Sequence, residues 1–132
     1  AGVPARAGEL ELEGEGVRIV ARAEQRDART LTIRVTGVVC RREADLGELQ
    51  SVLHATSVIV TRSDRHDALA VGVVGDALVL ADDVEHGDAV QTGRFELDLF
   101  ARAGRAALPG VYYVSACCGP LLSNVERVEL AA

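Results

Sequence analysis

Two adjacent cysteines are the most reactive side chains in this sequence. Cys117 and Cys118 stand directly before a Gly-Pro break, and such a pair can form a disulfide, take part in redox exchange or bind a metal. Successive residues of a regular strand point to opposite faces, so on a strand the two thiols would diverge. Free cysteine also packs as a small buried hydrophobe. We therefore prefer packing for this pair, with a disulfide or a metal or redox site as alternatives.

Two polar stretches hold the other candidate ligands and bases. The acidic stretch 82–88 contains Asp82, Asp83 and His86, and His66 lies in the cluster RSDRHD. The acidic stretch lacks the alternating order of a calcium loop, and no nucleophile stands at a recognisable spacing from His66. No phosphate-binding loop, G-x-S-x-G motif or zinc spacing occurs. We predict no catalytic residue, no cofactor and no metal site, and the metal candidates that stay open are His66, Asp82, Asp83 and His86.

Composition limits the classes of partner. The 132 residues suit a single domain, 1–132, and 20 acidic against 14 basic side chains give a net charge of −6, which repels nucleic acid. No apolar run is long enough to cross a bilayer. All the basic residues are arginine, which suggests a GC-rich bacterial source. Three cysteines are too few, and odd in number, for a disulfide framework, which predicts a cytoplasmic protein with reduced thiols. The N-terminus lacks a hydrophobic signal segment, and secretion stays open because a leader could precede Ala1.

Alternating apolar and polar residues predict an antiparallel all-β sandwich of eight or nine strands. A helix-like spacing of leucines suggests at most one short helix, at about 44–54, with an irregular loop as the alternative. Gly37 suggests a bulge that changes the phase of its strand, and Gly75-Asp76 suggests a tight hairpin between two short strands. The predicted strands cover 9–13, 17–23, 30–40, 57–61, 68–74, 77–80, 93–101 and the closing hairpin 108–130.

The closing hairpin also carries a family resemblance. Pro109 and Gly110 turn the chain into the segment GVYYV, which resembles the G-x-Y-x-C segment of immunoglobulin-like domains, with Val114 at the cysteine position. The pair of strands is similar to those of bacterial immunoglobulin-like and fibronectin-like modules, with Ser123-Asn124 at the start of the last strand. The resemblance implies a tyrosine corner, in which the Tyr112 hydroxyl bonds to nearby backbone.

The same resemblance leaves a disulfide between Cys40 and Cys117 as an alternative, analogous in position to the inter-sheet disulfide of the family and requiring an oxidising compartment.

Two functions are compatible with these observations. The first is a non-enzymatic binding or assembly module that contacts a protein partner or a second copy through a sheet face or an edge strand. Val20 and Phe100 fall on faces expected to be polar, and the long N-terminal strand is the suspected edge. The second is a small β-fold enzyme or metal-binding protein that uses His66, His86 or Cys117 and Cys118. A small-molecule or glycan ligand stays open.

Overall fold

Antiparallel strands in two sheets make up most of the part of the chain that the structure describes, which confirms the all-β prediction. The computed structural model describes residues 15–25, 30–42, 56–63, 68–73, 77–83 and 90–131. The predicted strand 9–13 and the predicted helix 44–54 lie outside these ranges. The described elements are β1 (Gly16–Gln25), β2 (Leu31–Arg42), β3 (Thr56–Arg62), β4 (Ala68–Gly72), β5 (Ala77–Asp83), β6 (Val90–Asp98), α1 (Leu99–Ala103), β7 (Gly110–Cys118), β8 (Leu121–Leu122) and β9 (Glu126–Leu130).

The strands divide into two sheets that enclose one core. Sheet 1 has the order β1-β2-β6-β5, and sheet 2 has the order β4-β3-β7, with both β8 and β9 paired to β7. Alternate residues of each strand point inward, so the apolar positions of the sequence pattern meet between the sheets. The largest fully buried side chains are Phe95, Ile19, Ile33, Leu97, Leu99, Val35, Val38, Val39, Val58, Val73 and Val114.

Gly37 makes room for a core ring instead of forming a bulge. Pairing of β2 with β1 and with β6 is continuous through Gly37, so the predicted change of phase is wrong. A Cβ atom at this position would overlap Cζ of Phe95, the residue directly opposite on β6. The missing side chain therefore lets the fully buried Phe95 ring lie across β2.

The connection through Gly75-Asp76 joins the two sheets, so the predicted hairpin is wrong. β4 pairs with β3 in sheet 2, whereas β5 pairs with β6 in sheet 1. Short-range turn signals indicate that the chain turns but do not determine which strand the next one meets. Both strands find longer partners, and each becomes an edge of its sheet.

A short helix replaces the predicted end of the strand at 93–101. Asp98 ends β6 and caps the helix by accepting a hydrogen bond from the Ala101 amide at 3.1 Å, and Gly104 closes it in the left-handed conformation at φ 68°. The helix directs Phe100 into the core, where it is only 6% exposed and packs edge-on against Tyr112 with ring centroids 5.5 Å apart. Phe100 is therefore not part of an exposed contact surface.

Two residues between β8 and β9 bond to other strands. Ser123-Asn124 does not begin the last strand, which starts at Glu126. The Ser123 hydroxyl accepts from the Ala116 amide at 2.7 Å. The Asn124 carboxamide accepts from the Ile19 amide at 3.0 Å and donates to the Ile19 carbonyl at 2.9 Å. Asn124 thus joins the edge strand of sheet 1 to sheet 2.

Tyr112 makes the kind of bond that the family resemblance implies. Its hydroxyl donates to the Leu108 carbonyl at 2.7 Å, four residues earlier and just before the turn into β7. Arg62 lies over the Tyr112 ring, with its central guanidinium carbon 5.7 Å from the centroid, and donates to the Pro109 carbonyl at 3.0 Å. A side chain at Gly110 would begin 3.1 Å from this guanidinium, so the turn fits closely around Arg62.

Candidate interaction surface

The outer face of sheet 1 is a network of charged side chains. Arg34, at the centre of β2, lies opposite Arg22 on one side and Asp98 on the other. Val38, on the same face, has Arg18 and Arg94 as its cross-strand neighbours and is only 1% exposed. Charged side chains thus cover much of this face, and among the described side chains they include Arg18, Arg22, Glu24, Arg34, Arg94, Glu96 and Asp98.

Glu24 and Arg34 form a two-point ion pair within this network. The Arg34 guanidinium donates to both carboxylate oxygens of Glu24, at 3.1 and 3.2 Å. These hydrogen bonds are the largest cause that lowers the pKa of Glu24, and they also raise the pKa of Arg34. The pair is about 30% exposed, so it contributes modestly to stability. Arg22 also contacts the Glu24 carboxylate, at 3.9 Å, so three charged side chains of this face form one cluster.

The outer face of sheet 2 has the opposite character. Its positions on β3, β4 and β7 carry no charged side chain. On β9, Arg127 and Glu129 form an ion pair with each other at 3.7 Å, so their charges offset. The face of sheet 2 is therefore neutral in a chain whose net charge is −6. Its positions on these three strands are Ser57, Ile59, Thr61, Ala68, Ala70, Gly72, Val111, Tyr113, Ser115 and Cys117.

The strand register places the bulky Tyr113 at the same level of this face as the small outward residues of β4. Tyr113 on β7 lies opposite Thr61 on β3, and Thr61 lies opposite Ala68 on β4. Tyr113 is 40% exposed, whereas the outward positions of β4 are two alanines and a glycine. The face therefore has a ridge along β7 and a hollow along β4. We call the outward positions of β3, β4 and β7 the neutral face.

None of the three cysteines forms a disulfide, and they lie on different sides of the molecule. Cys118 points into the core and is fully buried, whereas Cys117 is half-buried on the neutral face. This placement agrees with the divergence expected on a strand. Cys40 lies on the outer face of sheet 1, so the thickness of the sandwich separates it from Cys117, and the alternative disulfide between them does not form.

The remaining sequence candidates do not come together in the part of the chain that the structure describes. His66 and His86 lie outside the described ranges. Asp82 and Asp83 are the last two residues of β5, paired with Gln91 and Val90, rather than part of a loop. Within the described ranges, no three acidic, histidine or cysteine side chains group closely enough to hold a metal ion. No described helix has the length and apolarity needed to cross a membrane.

The edges of the sheets are partly occupied by side chains. β1 is an edge strand, as suspected from the sequence, but Asn124 bonds to both backbone groups of Ile19. At the edge strand β4, Arg102 donates to the Gly72 carbonyl at 3.0 Å. Such bonds oppose the addition of a further strand at these points. These bonds partly occupy the β1 edge that the sequence suggested as a contact surface.

No protein-family model, curated protein or solved structure matches the chain. The surface itself is thus the basis for inferring function. Tyr113, Ile59 and Ala70 were not singled out from the sequence. Alternation alone indicates that Tyr112 and Tyr113 face opposite ways, but only the pairing of β7 with β3 and of β3 with β4 shows that these outward positions form one neutral face.

Proposed function

We propose that this protein is a non-enzymatic assembly module that pairs with a second copy of itself through the neutral face. The observation that carries the proposal is the absence of charged side chains from the outward positions of β3, β4 and β7, in a chain with net charge −6. Contact surfaces are depleted of charge at their centres and enriched in tyrosine. Two copies can bring such faces together without burying like charges.

We also propose that the module is immunoglobulin-like. In the constant type of that fold, strands A, B, E and D form one sheet and strands C, F and G the other. The orders of the two sheets support this assignment: β1, β2, β6 and β5 correspond to A, B, E and D, and β3, β7 and β9 correspond to C, F and G. β4 adds a strand beside C. The bond from Tyr112 to Leu108 supports the tyrosine corner at the start of F.

The ridge and hollow of the neutral face support self-pairing. A two-fold axis parallel to the strands and above β3 brings β7 of one copy over β4 of the other. Because Tyr113 and Ala68 lie at the same level of the sheet, the tyrosine of each copy meets the alanine hollow of its partner. The charged strand β9 then stays outside the overlap, in solvent.

The size of the overlap predicts a weak dimer. Three strands about 4.8 Å apart and about 25 Å long give about 700 Å² in total between two copies. Specific interfaces of this size belong to transient complexes. The association should therefore depend on concentration in the micromolar range and above.

Light scattering across a concentration series tests the proposal. We expect a mass near 13.9 kDa in dilute solution that rises toward twice this value as concentration increases. Tyr113→Arg places a charge in the contact and should keep the protein monomeric. Ala70→Arg, which fills the hollow, should have the same effect.

Val20→Arg serves as the matched control, because it makes the same kind of change on the outer face of sheet 1. It should associate as the wild type does, and circular dichroism should show that all the variants are folded. A mass of 13.9 kDa at every concentration would overturn the proposal. If association persists in both Tyr113→Arg and Ala70→Arg, the contact between copies lies on another surface.

A further inference from the structure

A pocket at one end of sheet 2 forms a second candidate site. It has a volume of about 140 Å³ and lies among the end of β3, the start of β4, α1 and the connection that leads into β7. Its apolar walls are formed by Val60, Leu69, Phe100 and Tyr112. Phe100 and Tyr112 are 6% and 5% exposed and pack edge-on against each other, so this wall is rigid. A cavity of roughly this size holds a single benzene ring.

Two arginines give the pocket a positive charge. Arg62 is held in place by its bond to the Pro109 carbonyl and by the Tyr112 ring beneath it. The backbone of Arg105 is anchored by its amide, which donates to the Phe100 carbonyl at 3.0 Å, while its side chain is exposed. No acidic side chain is among the described residues that line the pocket. Its positive charge contrasts with the net charge of −6 of the whole chain.

We infer that this pocket binds a carboxylate attached to a single apolar group of about the size of a phenyl ring. The apolar group would occupy the space between Leu69 and Phe100, and the carboxylate would meet the Arg105 guanidinium, whose planar donors match its geometry. This chemistry has two sources, the C-terminal residue of a polypeptide and a free arylalkanoic acid. The inference goes beyond the proposed self-association and does not depend on it.

Titration followed by heteronuclear NMR tests this site. The probes are 3-phenylpropanoate, its amide, and N-acetyl-Gly-Gly-Phe with a free C-terminal carboxylate. We expect both carboxylates to shift the amide signals of Leu69, Phe100 and Arg105, and the amide probe to bind about tenfold more weakly, because it loses one charge-assisted hydrogen bond. Tighter binding of the peptide identifies a polypeptide terminus as the ligand, and equal or tighter binding of 3-phenylpropanoate identifies the free acid.

Variants separate the pocket from the rest of the molecule. Arg105→Gln should weaken carboxylate binding about tenfold and leave binding of the amide unchanged. Ala106→Phe, at an exposed position of the lining, should block all three probes. Arg127→Gln is the matched control, since its side chain is 58% exposed on β9. It should bind as the wild type does.

Three results would overturn the inference: no shifts with either carboxylate at millimolar concentration, equal affinity for the acid and its amide, or unchanged binding in Ala106→Phe. Thr61 and Ala68 belong both to the pocket lining and to the neutral face. The titration is therefore repeated on Tyr113→Arg, the variant designed to be monomeric. Binding there supports the pocket whether or not the wild type self-associates.

Discussion

Removing the Asn124 carboxamide should destabilise the sandwich by about 2 kcal/mol. Its two hydrogen bonds to Ile19, at 3.0 and 2.9 Å, join strands that belong to different sheets. Each such bond contributes about 1 kcal/mol net. Asn124→Ala removes both bonds from the backbone of Ile19, a residue that is 1% exposed. For a domain of this size, the loss corresponds to a fall in melting temperature of about 6 to 10 °C.

Urea unfolding followed by circular dichroism measures this loss. Asn124→Asp is informative, because a carboxylate can accept from the Ile19 amide but cannot donate to the Ile19 carbonyl. It should therefore lose at least half of the contribution. Val125→Ala is the control, at a neighbouring position that is 61% exposed, and should stay within about 0.5 kcal/mol of the wild type. If Asn124→Ala also stayed within that range, the link between the sheets would contribute nothing measurable.

Three further substitutions test other parts of the fold. Tyr112→Phe should lower the unfolding free energy by about 1 kcal/mol, because it removes the bond to Leu108. Tyr113→Phe, measured in dilute solution, should cause no measurable loss. Equal effects of the two substitutions in urea unfolding would contradict the tyrosine corner. Gly37→Ala should lower the unfolding free energy by about 1 to 3 kcal/mol, because its Cβ would overlap the Phe95 ring. Phe95→Leu in the same chain should recover part of that loss. Purely additive effects in a double-mutant cycle would contradict the contact. Glu24→Gln should lower stability by about 0.5 kcal/mol at pH 7. Arg34 lowers the pKa of Glu24 in the folded state from its ordinary value of 4.5, so the ion pair stabilises the fold above that value. Its contribution is lost as the pH falls through the lower folded pKa, so the difference between wild type and Glu24→Gln in unfolding experiments should shrink as the pH is lowered below 4.5.

Local patterns predicted the strands well, because alternation and turn residues act over a few positions. The observed residue ranges lie close to the predicted ones for β1, β2, β3 and β7. The errors lie where a distant residue decides the outcome. Gly37 suggests a bulge when considered alone, but the Phe95 ring opposite it explains why a regular strand carries glycine there. Phe100 falls on the polar face if the alternating strand is extended to it, yet the capping residues Asp98 and Gly104 turn that segment into a helix.

The candidate surface was less predictable than the fold. The sequence indicates which residues of a strand face outward but not which strands are neighbours. The hairpin expected at Gly75-Asp76 would have placed β4 beside β5. Its actual place beside β3 joins the alanines of β4 to the face that carries Tyr113. The pocket likewise depends on α1, which brings Phe100 against Tyr112.

Alkylation of the cysteines tests the proposed self-pairing most directly. Cys117 lies on the neutral face, Cys40 lies on the outer face of sheet 1, and both are half-buried free thiols. The native protein is treated briefly with iodoacetamide at concentrations below and above the dimer midpoint, and modification at each site is read by peptide mass spectrometry. We predict that Cys117 becomes protected as dimers form, while the rate at Cys40 stays constant. Pairing through this face would be contradicted if light scattering shows dimers and the rate of Cys117 alkylation is nevertheless the same at every concentration.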